Sequence, residues 1–220
     1  MSGWWTEWQT YALSDFLMFS AQTYFRQFEL LNRELWPGQL AALGAGLALA
    51  ACMRARQRTA PVAFGLLAIA WAAVGWIYHA GRYADIHIGA PHFAAGFGVQ
   101  ALLLAWMARR SPPLAGTKLA PAVIMAVALL AYPLLAPLNG RSLWQAEVFA
   151  LAPDPTVAAS FGVLLAWRAP WPLWVLPLLW SALTGATLME LHAPQAWLLP
   201  SVALLASALA LRQARQDARS

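Results

Sequence analysis

The chain carries little charge for its length. Asp, Glu, Lys and Arg make up only 10% of its 220 residues, whereas hydrophobic residues make up 61% and the mean hydropathy is +0.56. Soluble proteins have about 25% charged residues, and a soluble globule of this size cannot bury so much apolar surface. The composition therefore excludes a soluble enzyme and a disordered chain, and it predicts a polytopic membrane protein.

Cysteine and lysine are each present once. Cys52 has no second cysteine to pair with, so the sequence is not a disulfide scaffold. Lys118 lies between apolar segments, which excludes a retinal-type photoreceptor, because its Schiff base requires a lysine inside the bundle. Ionisable side chains are nearly absent from the middle of the apolar segments, which argues against a proton relay across the bilayer.

Apolar segments long enough to cross a membrane recur along the chain. A helix needs about 20 mostly apolar residues to cross the ~30 Å hydrocarbon layer. The pattern predicts an all-α bundle of seven transmembrane helices, at residues 37–53, 61–79, 90–108, 119–137, 154–168, 171–189 and 195–212. The fifth and sixth share one apolar run, which is broken between Trp167 and Pro172 by residues typical of a tight interfacial turn. This predicts three parts: an N-terminal segment 1–36, a membrane domain 37–212 and a basic cytoplasmic tail 213–220.

Seven spans place the loops alternately on two sides, and the basic residues are concentrated on one side. Since cytoplasmic loops collect Lys and Arg, we expect a multi-pass protein of the cell inner membrane, with its N-terminus outside and its C-terminus in the cytoplasm. All acidic residues except Asp217 fall on the outer side. The basic residues are scattered over short loops, so the lipid bilayer is an expected partner and nucleic acid is not. The predicted cytoplasmic basic residues are Arg54, Arg56, Arg58, Arg109, Arg110, Lys118, Arg168, Arg212, Arg215 and Arg219.

The N-terminal segment is too charged to span the membrane. Its apolar side chains recur at spacings of three and four, which predicts an amphipathic helix on the outer membrane surface with its apolar face on lipid. Glu29 can pair with Arg26 and Arg33 on the wet face of this helix. The segment lacks the basic start and cleavage site of a signal peptide, so no removal is expected. The apolar residues of the pattern are Phe16, Phe19, Tyr24, Phe28, Leu31 and Leu35.

Polar side chains cluster at the predicted outer ends of the spans. His79 and Tyr83 are four residues apart and share one face of an α-helix. Ser181, Thr184 and Thr187 form a polar stripe that leads toward Glu190 on the sixth helix. Together these groups predict a cavity that opens to the outside. The candidate solute-binding residues are Arg82, Tyr83, Glu147, Glu190 and Glu29.

Three histidines are candidate ligands of a metal ion or haem, because neutral imidazole binds zinc, copper and iron. They are His79, His92 and His192, and they come from separate helices, since no H-x-x-x-H pair is present. The alternative is that each histidine only hydrogen-bonds a neighbouring loop. The sequence does not identify the cofactor.

Three further polar residues each have a structural alternative. Asp154 lies between two prolines, which favours a helix N-cap. For Glu147 a solvated carboxylate is favoured over a buried one. Arg82 either binds an anion or pairs with Asp85 or Glu147.

Residues along nearly the whole chain resemble a bacterial multi-pass membrane family that is classified only as a domain of unknown function. The resemblance implies an integral membrane protein and no particular reaction. In the family pattern a cysteine often stands where this chain has Asp154, which weakens a catalytic role for Asp154 and favours the N-cap. The residues that carry the resemblance are Tyr11 to Leu17, Phe19, Ser20, Tyr24, Glu29, Asn32, His79, Arg82, Tyr83, Ala90, Pro91, Glu147 to Phe149 and Ala152 to Thr156.

These observations support three functional hypotheses. The first is a small permease or solute-binding membrane protein with an outward-facing polar pocket, which fits short spans interrupted by prolines. The second is a membrane-embedded enzyme that uses a metal ion or haem at the outer face. The third is an accessory or sensory subunit that acts through a membrane partner or as a homo-oligomer. Whether the protein is an enzyme stays open at this point.

Overall fold

The computed structural model describes residues 19–55, 57–110 and 119–218. The described chain is all-helical, as the sequence predicts, and no strand occurs within these ranges. Phe16, Arg56, Lys118 and Arg219, and the rest of the N-terminal segment before residue 19, lie outside the described residues.

Helices follow one another along the chain with short connections. Two of the long helices contain a π-helical stretch, at Val74–Arg82 after α3 and at Val127–Ala131 between α5 and α6. Short 3-10 turns lie at Gln57–Thr59, Tyr83–Asp85 and Leu143–Gln145. The α-helices are α1 Ala21–Glu34, α2 Gly38–Ala55, α3 Ala60–Ala73, α4 Ala90–Met107, α5 Leu119–Ala126, α6 Tyr132–Leu138, α7 Pro153–Ala166, α8 Pro172–Glu190 and α9 Leu198–Asp217.

Within the described residues, five helical segments are long and apolar enough to cross a membrane. They are Gly38–Ala55, Ala60–Asp85, Ala90–Met107, Leu119–Leu138 and Pro172–Glu190. Many large apolar side chains on these segments face outward, as with Ile69 at 69% exposed and Leu102 at 73%. An apolar exterior is what a bundle surrounded by lipid requires. The membrane character that the composition predicts is therefore supported by where the apolar side chains lie.

The other two predicted spans are also helices, but each differs from an ordinary span. α7 has only 14 residues and is buried from Pro153 to Leu165, so it forms the centre of the bundle and packs on α3, α5, α8 and α9. α9 continues to Asp217 instead of ending near residue 212. Most of the segment predicted as a separate basic tail is therefore part of a helix.

The break between α7 and α8 lies where the sequence predicts it. Arg168 has a φ of 38°, and the Ala169 N–H donates to the Leu164 carbonyl at 2.9 Å. This is the hydrogen bond of a Schellman motif, which closes the end of a helix. Pro170 and Pro172 follow, so α7 cannot continue into α8.

The apolar face of α1 packs on protein, whereas the sequence predicts that it lies on lipid. Tyr24, Phe28 and Leu31 are almost completely buried, and the Phe28 ring stacks on Tyr78 of the π-helix with centroids 5.0 Å apart. The Asn32 amide donates to the carbonyls of Trp144 and Ala146, both at 2.8 Å. α1 therefore covers one end of the bundle, and it fixes the position of the loop 139–152.

Candidate functional site

The π-helix Val74–Arg82 positions the polar end of the second span. A π-helix has i to i+5 hydrogen bonds, so residues five apart share a face. Tyr78 and Tyr83 accordingly stack, with ring centroids 5.5 Å apart and planes 15° apart. His79 also contacts Tyr83, with centroids 5.8 Å apart, so the predicted pair is confirmed. The sequence pattern assumed α-helical spacing throughout and did not show the Tyr78–Tyr83 stack.

A small pocket opens at this end of the bundle. The space that the centre of a water molecule can occupy there is about 20 Å³. This volume holds a group of about the size of one water molecule. The pocket lies where α1, the end of the second span, α4 and α8 meet. Its lining residues are Tyr24, Tyr83, His87, Phe93, Trp180, Leu183, Thr184 and Thr187.

Asp154 lies directly behind the pocket wall. Its Oδ1 accepts a hydrogen bond from Trp180 Nε1 at 2.9 Å, and its Oδ2 accepts one from Thr184 Oγ1 at 3.1 Å. The N-cap of α7 is Ala152, and Asp154 lies in the first turn, where the helix dipole favours a negative charge. The predicted N-cap role is therefore wrong: the two prolines do start the helix, but the carboxylate side chain is directed at α8.

A second buried carboxylate, Glu147, lies in the loop before α7. Glu147 is 2% exposed, so the expectation of a solvated side chain is wrong. Gln195 donates weakly to its Oε1 at 3.5 Å, and Oε2 has no partner in the described part of the chain. Burial raises the pKa of Glu147, and the neighbouring Asp154 raises it further. Glu147 therefore favours the protonated form. The loop carries it inward because Asn32 fixes the chain at Ala146.

His79 is the third buried polar group near the pocket. It is completely buried, and neither ring nitrogen has a hydrogen-bond partner among the residues that the structure describes. Its ring lies among aromatic rings, with centroids 4.5 Å from Phe97 and 4.9 Å from Trp180. A buried polar group without a partner costs free energy of folding, so its presence points to a role other than packing.

A family model for a family of unknown function, DUF6064, matches residues 21–220. The chain belongs to this family. The match begins at the first residue of α1 and includes every element that forms the pocket. The resemblance to a domain of unknown function that the sequence motifs indicate is thereby confirmed. No curated protein and no solved structure matches the chain.

The structure separates the predicted solute-binding residues into two groups. Tyr83 lines the pocket, and Glu147 is buried near Asp154. Arg82 instead forms an ion pair with Glu34 at the end of α1, which corrects the expected pairing with Asp85 or Glu147. Glu29 accepts hydrogen bonds from Gln145 and Arg33, both at 3.1 Å, and these lower its pKa. Arg82 and Glu29 thus hold α1 on the bundle.

Glu190 and two of the histidines lie away from the pocket. Glu190 and His92 have exposed side chains. His192 is exposed as well and has a φ of 53° in the Schellman motif that ends α8, so its backbone conformation is its structural role. Within the described ranges no three His, Cys, Asp or Glu side chains are grouped to hold a metal ion. The predicted set of His79, His92 and His192 is therefore not brought together.

Thr184 and Thr187 are the residues for which the sequence pattern worked best. Both line the pocket, as the polar stripe on the sixth predicted span indicates. The third member, Ser181, donates to the Pro177 carbonyl at 2.7 Å inside its own helix. Trp180 was not predicted, because tryptophan in a membrane protein is usually an interfacial anchor. Its hydrogen bond to a carboxylate on another helix leaves no signal in the sequence.

Proposed function

We propose that this protein is a small permease or solute-binding membrane protein of the inner membrane, with seven spans and a pocket that opens to the outside. The positive-inside pattern of the loops supports the orientation, with the N-terminus outside. In this orientation the connection between the second and third spans and the end of α8 face outward. The pocket lies between these two segments.

One observation carries the proposal: Trp180 and Thr184 line the pocket and also hydrogen-bond the buried Asp154. A wall of aromatic rings and hydroxyls with a fixed charge behind it is typical of a ligand site, since binding sites combine apolar lining with a few placed polar groups. The Asp154 carboxylate lies 2.9 Å from Trp180 Nε1 and 3.1 Å from Thr184 Oγ1.

The metal-dependent enzyme is the weaker candidate because the predicted histidines do not converge. The accessory-subunit hypothesis is also weakened, since the apolar face of α1 is buried and is not available for docking a partner. Binding of a solute is therefore the first activity to test.

The test is a thermal-stability screen of the purified full chain in detergent with small cations, anions and neutral solutes, followed by uptake into proteoliposomes. A ligand that binds only the folded state raises the unfolding temperature. We expect at least one class of solute to raise it in the native chain. Trp180→Phe, which removes the N–H donor to Asp154, should abolish the shift.

Trp76→Phe is the matched control. Trp76 is 79% exposed on the same bundle and does not line the pocket, so its replacement should leave the solute-dependent shift intact. The proposal is wrong if no solute class shifts the unfolding temperature or accumulates in proteoliposomes. It is also wrong if Trp180→Phe and Trp76→Phe behave alike.

A further inference from the structure

The charge around the pocket is of one sign, which is negative. Asp154 and Glu147 are buried, and neither forms an ion pair with a basic side chain in the part of the chain that the structure describes. No arginine is among the residues that line the pocket. Arg141, the basic residue that interacts with Glu147, lies over the Phe25 ring at 3.6 Å, outside the pocket lining. The pocket is therefore a region of negative potential inside an apolar bundle.

Asp154 has the hydrogen-bond pattern of an ionised carboxylate. Both of its oxygens accept a hydrogen bond, and neither needs a proton to do so. Its place in the first turn of α7 adds the favourable effect of the helix dipole. Glu147 differs, since one oxygen has no partner and burial raises its pKa. The pair thus places its negative charge at Asp154, next to the pocket wall.

We propose that the pocket binds the ammonium head of a small primary amine, with Asp154 as the counter-charge behind the wall. This inference rests on the proposed function and names the substrate class of the same site. The ammonium head is drawn in by the carboxylate charge, which acts through Trp180 and Thr184 at short range in a medium of low dielectric. The rest of the amine extends toward the pocket mouth.

The rings around the pocket suit a cation. The Tyr83 ring lies over Phe93 with centroids 6.2 Å and planes 30° apart, and Phe93 meets Trp180 edge to face at 5.6 Å. Tyr24 meets Tyr83 edge to face at 6.2 Å, so four rings surround one small space. A cation within about 6 Å of a ring centroid is attracted by the negative face of the ring.

The polar atoms and the size of the space suit an ammonium group in particular. The pocket holds about one water-sized group, so a bulky quaternary ammonium head does not fit. A primary ammonium group has three N–H donors, and the hydroxyls of Thr184 and Thr187 are acceptors in the wall. His87 does not oppose the cation, because burial lowers its pKa and favours the neutral ring.

The experiment measures binding of radiolabelled methylammonium to the detergent-purified full chain at constant ionic strength, with methanol, formate and tetramethylammonium as competitors. We expect saturable binding that none of the three displaces efficiently. Asp154→Asn keeps the side-chain shape and an acceptor for Trp180 but removes the charge. It should weaken binding about tenfold or more, the factor expected for the loss of a desolvated counter-charge.

Asp85→Asn is the matched control, because Asp85 is an exposed carboxylate on the same end of the bundle and does not line the pocket. Its methylammonium affinity should equal that of the native chain. If Asp154→Asn does not purify as a folded protein, Tyr83→Leu and Phe93→Leu replace ring faces by apolar groups and should each weaken binding severalfold. The inference is overturned if Asp154→Asn binds as tightly as the native chain or if the leucine variants do.

The result of the methylammonium experiment can be distinguished from the result of the solute screen. If methylammonium does not bind but an anion or a neutral solute stabilises the protein through Trp180, the proposed function stands and the substrate class is wrong. If no solute of any class binds, both are wrong. If tetramethylammonium binds better than methylammonium, the inference of a primary amine is overturned, because neither the size of the pocket nor the hydroxyl contacts then select the ligand.

Discussion

Glu147 is the residue whose protonation links the site to stability. The carboxyl of Glu147 has a raised pKa in the folded protein because it is buried beside Asp154. A glutamate in the unfolded chain has its ordinary pKa, so between these two values the folded state holds a proton that the unfolded state has lost. Stability therefore falls as the pH rises through this interval, and the contribution of Glu147 is fully favourable only below the ordinary pKa.

We predict that Glu147→Gln removes this part of the pH dependence. Glutamine copies the protonated acid in shape and cannot ionise, so the variant should match the native chain at acidic pH and be more stable at alkaline pH. Thermal unfolding in detergent across the pH range measures the difference. A stability gap that stays constant with pH, or that grows toward acid, would show that Glu147 is ionised in the folded state.

The site residues that the sequence predicts differ in one respect from those that it does not predict. Thr184 and Thr187 follow from helical spacing on α8, and Tyr83 follows from its spacing to His79 at the end of the second span. The role of Asp154 depends on its contact with α8, which begins later in the chain. The prolines beside Asp154 indicate only the start of a helix. Glu147 is buried only because Asn32 holds its loop inward, and no local pattern contains that information.

Among the elements, α7 is buried along nearly its whole length. A Cβ added at Gly162 would lie 3.1 Å from the Pro121 carbonyl oxygen and 3.6 Å from Ile124 and Met53. The carbonyl belongs to the backbone of α5, so it cannot move aside as a flexible side chain would. Gly162 is therefore the position where α7 and α5 approach closely, as small residues allow in membrane bundles.

We expect Gly162→Ala to destabilise the protein by about 1 to 3 kcal/mol, the usual cost of forcing an extra methyl group into a packed interior. Gly98→Ala on α4 is the control, since a Cβ there has no atom within 4 Å. That variant should be neutral or should stabilise the protein, because alanine is the better helix former. Unfolding temperatures in one detergent compare the two variants, and equal losses would contradict the close packing.

The π-helix is the element that sequence periodicity could not show. An apolar segment predicts a span whether its turns are α or π, and the predicted span 61–79 starts one residue after the start of the helical segment Ala60–Asp85 and ends before that segment ends. The wider turns of the π-helix change the angle between successive side chains. This change determines which side chains after Val74 face inward. It brings Tyr78 onto the face of Tyr83, five residues on, with ring centroids 5.5 Å apart.

For the whole molecule, the distribution of charge over the loops predicts the orientation in the membrane. We predict that a cysteine at Ala84, which is exposed near the pocket, reacts with a membrane-impermeant thiol reagent in intact cells. A cysteine at Ala218, exposed after α9, should react only after the cells are permeabilised. Cys52→Ala serves as the background, since it removes the single native thiol. The reverse labelling pattern would invert the orientation and place the pocket on the cytoplasmic side.

The overall architecture was more predictable than the site because hydrophobicity acts over whole segments. All seven apolar segments contain helices in the structure, and the break after Trp167 is correctly placed. The burial of α1 against protein was not predictable in the same way, since an apolar face suits lipid and a bundle equally well. Only the contact of Phe28 with Tyr78 and the bonds of Asn32 decide between them.

α7 is too short and too polar in its first turn to enter a membrane on its own during synthesis. Its 14 residues extend about 21 Å, against a hydrocarbon layer of ~30 Å, and they begin with a buried aspartate. The insertion machinery admits segments according to their length and hydrophobicity, so we expect α7 to enter together with α8 as a hairpin. Its remaining partner α9 is made afterwards. The nascent chain should therefore depend on membrane chaperones, and be open to quality-control proteases, until the last helix has docked.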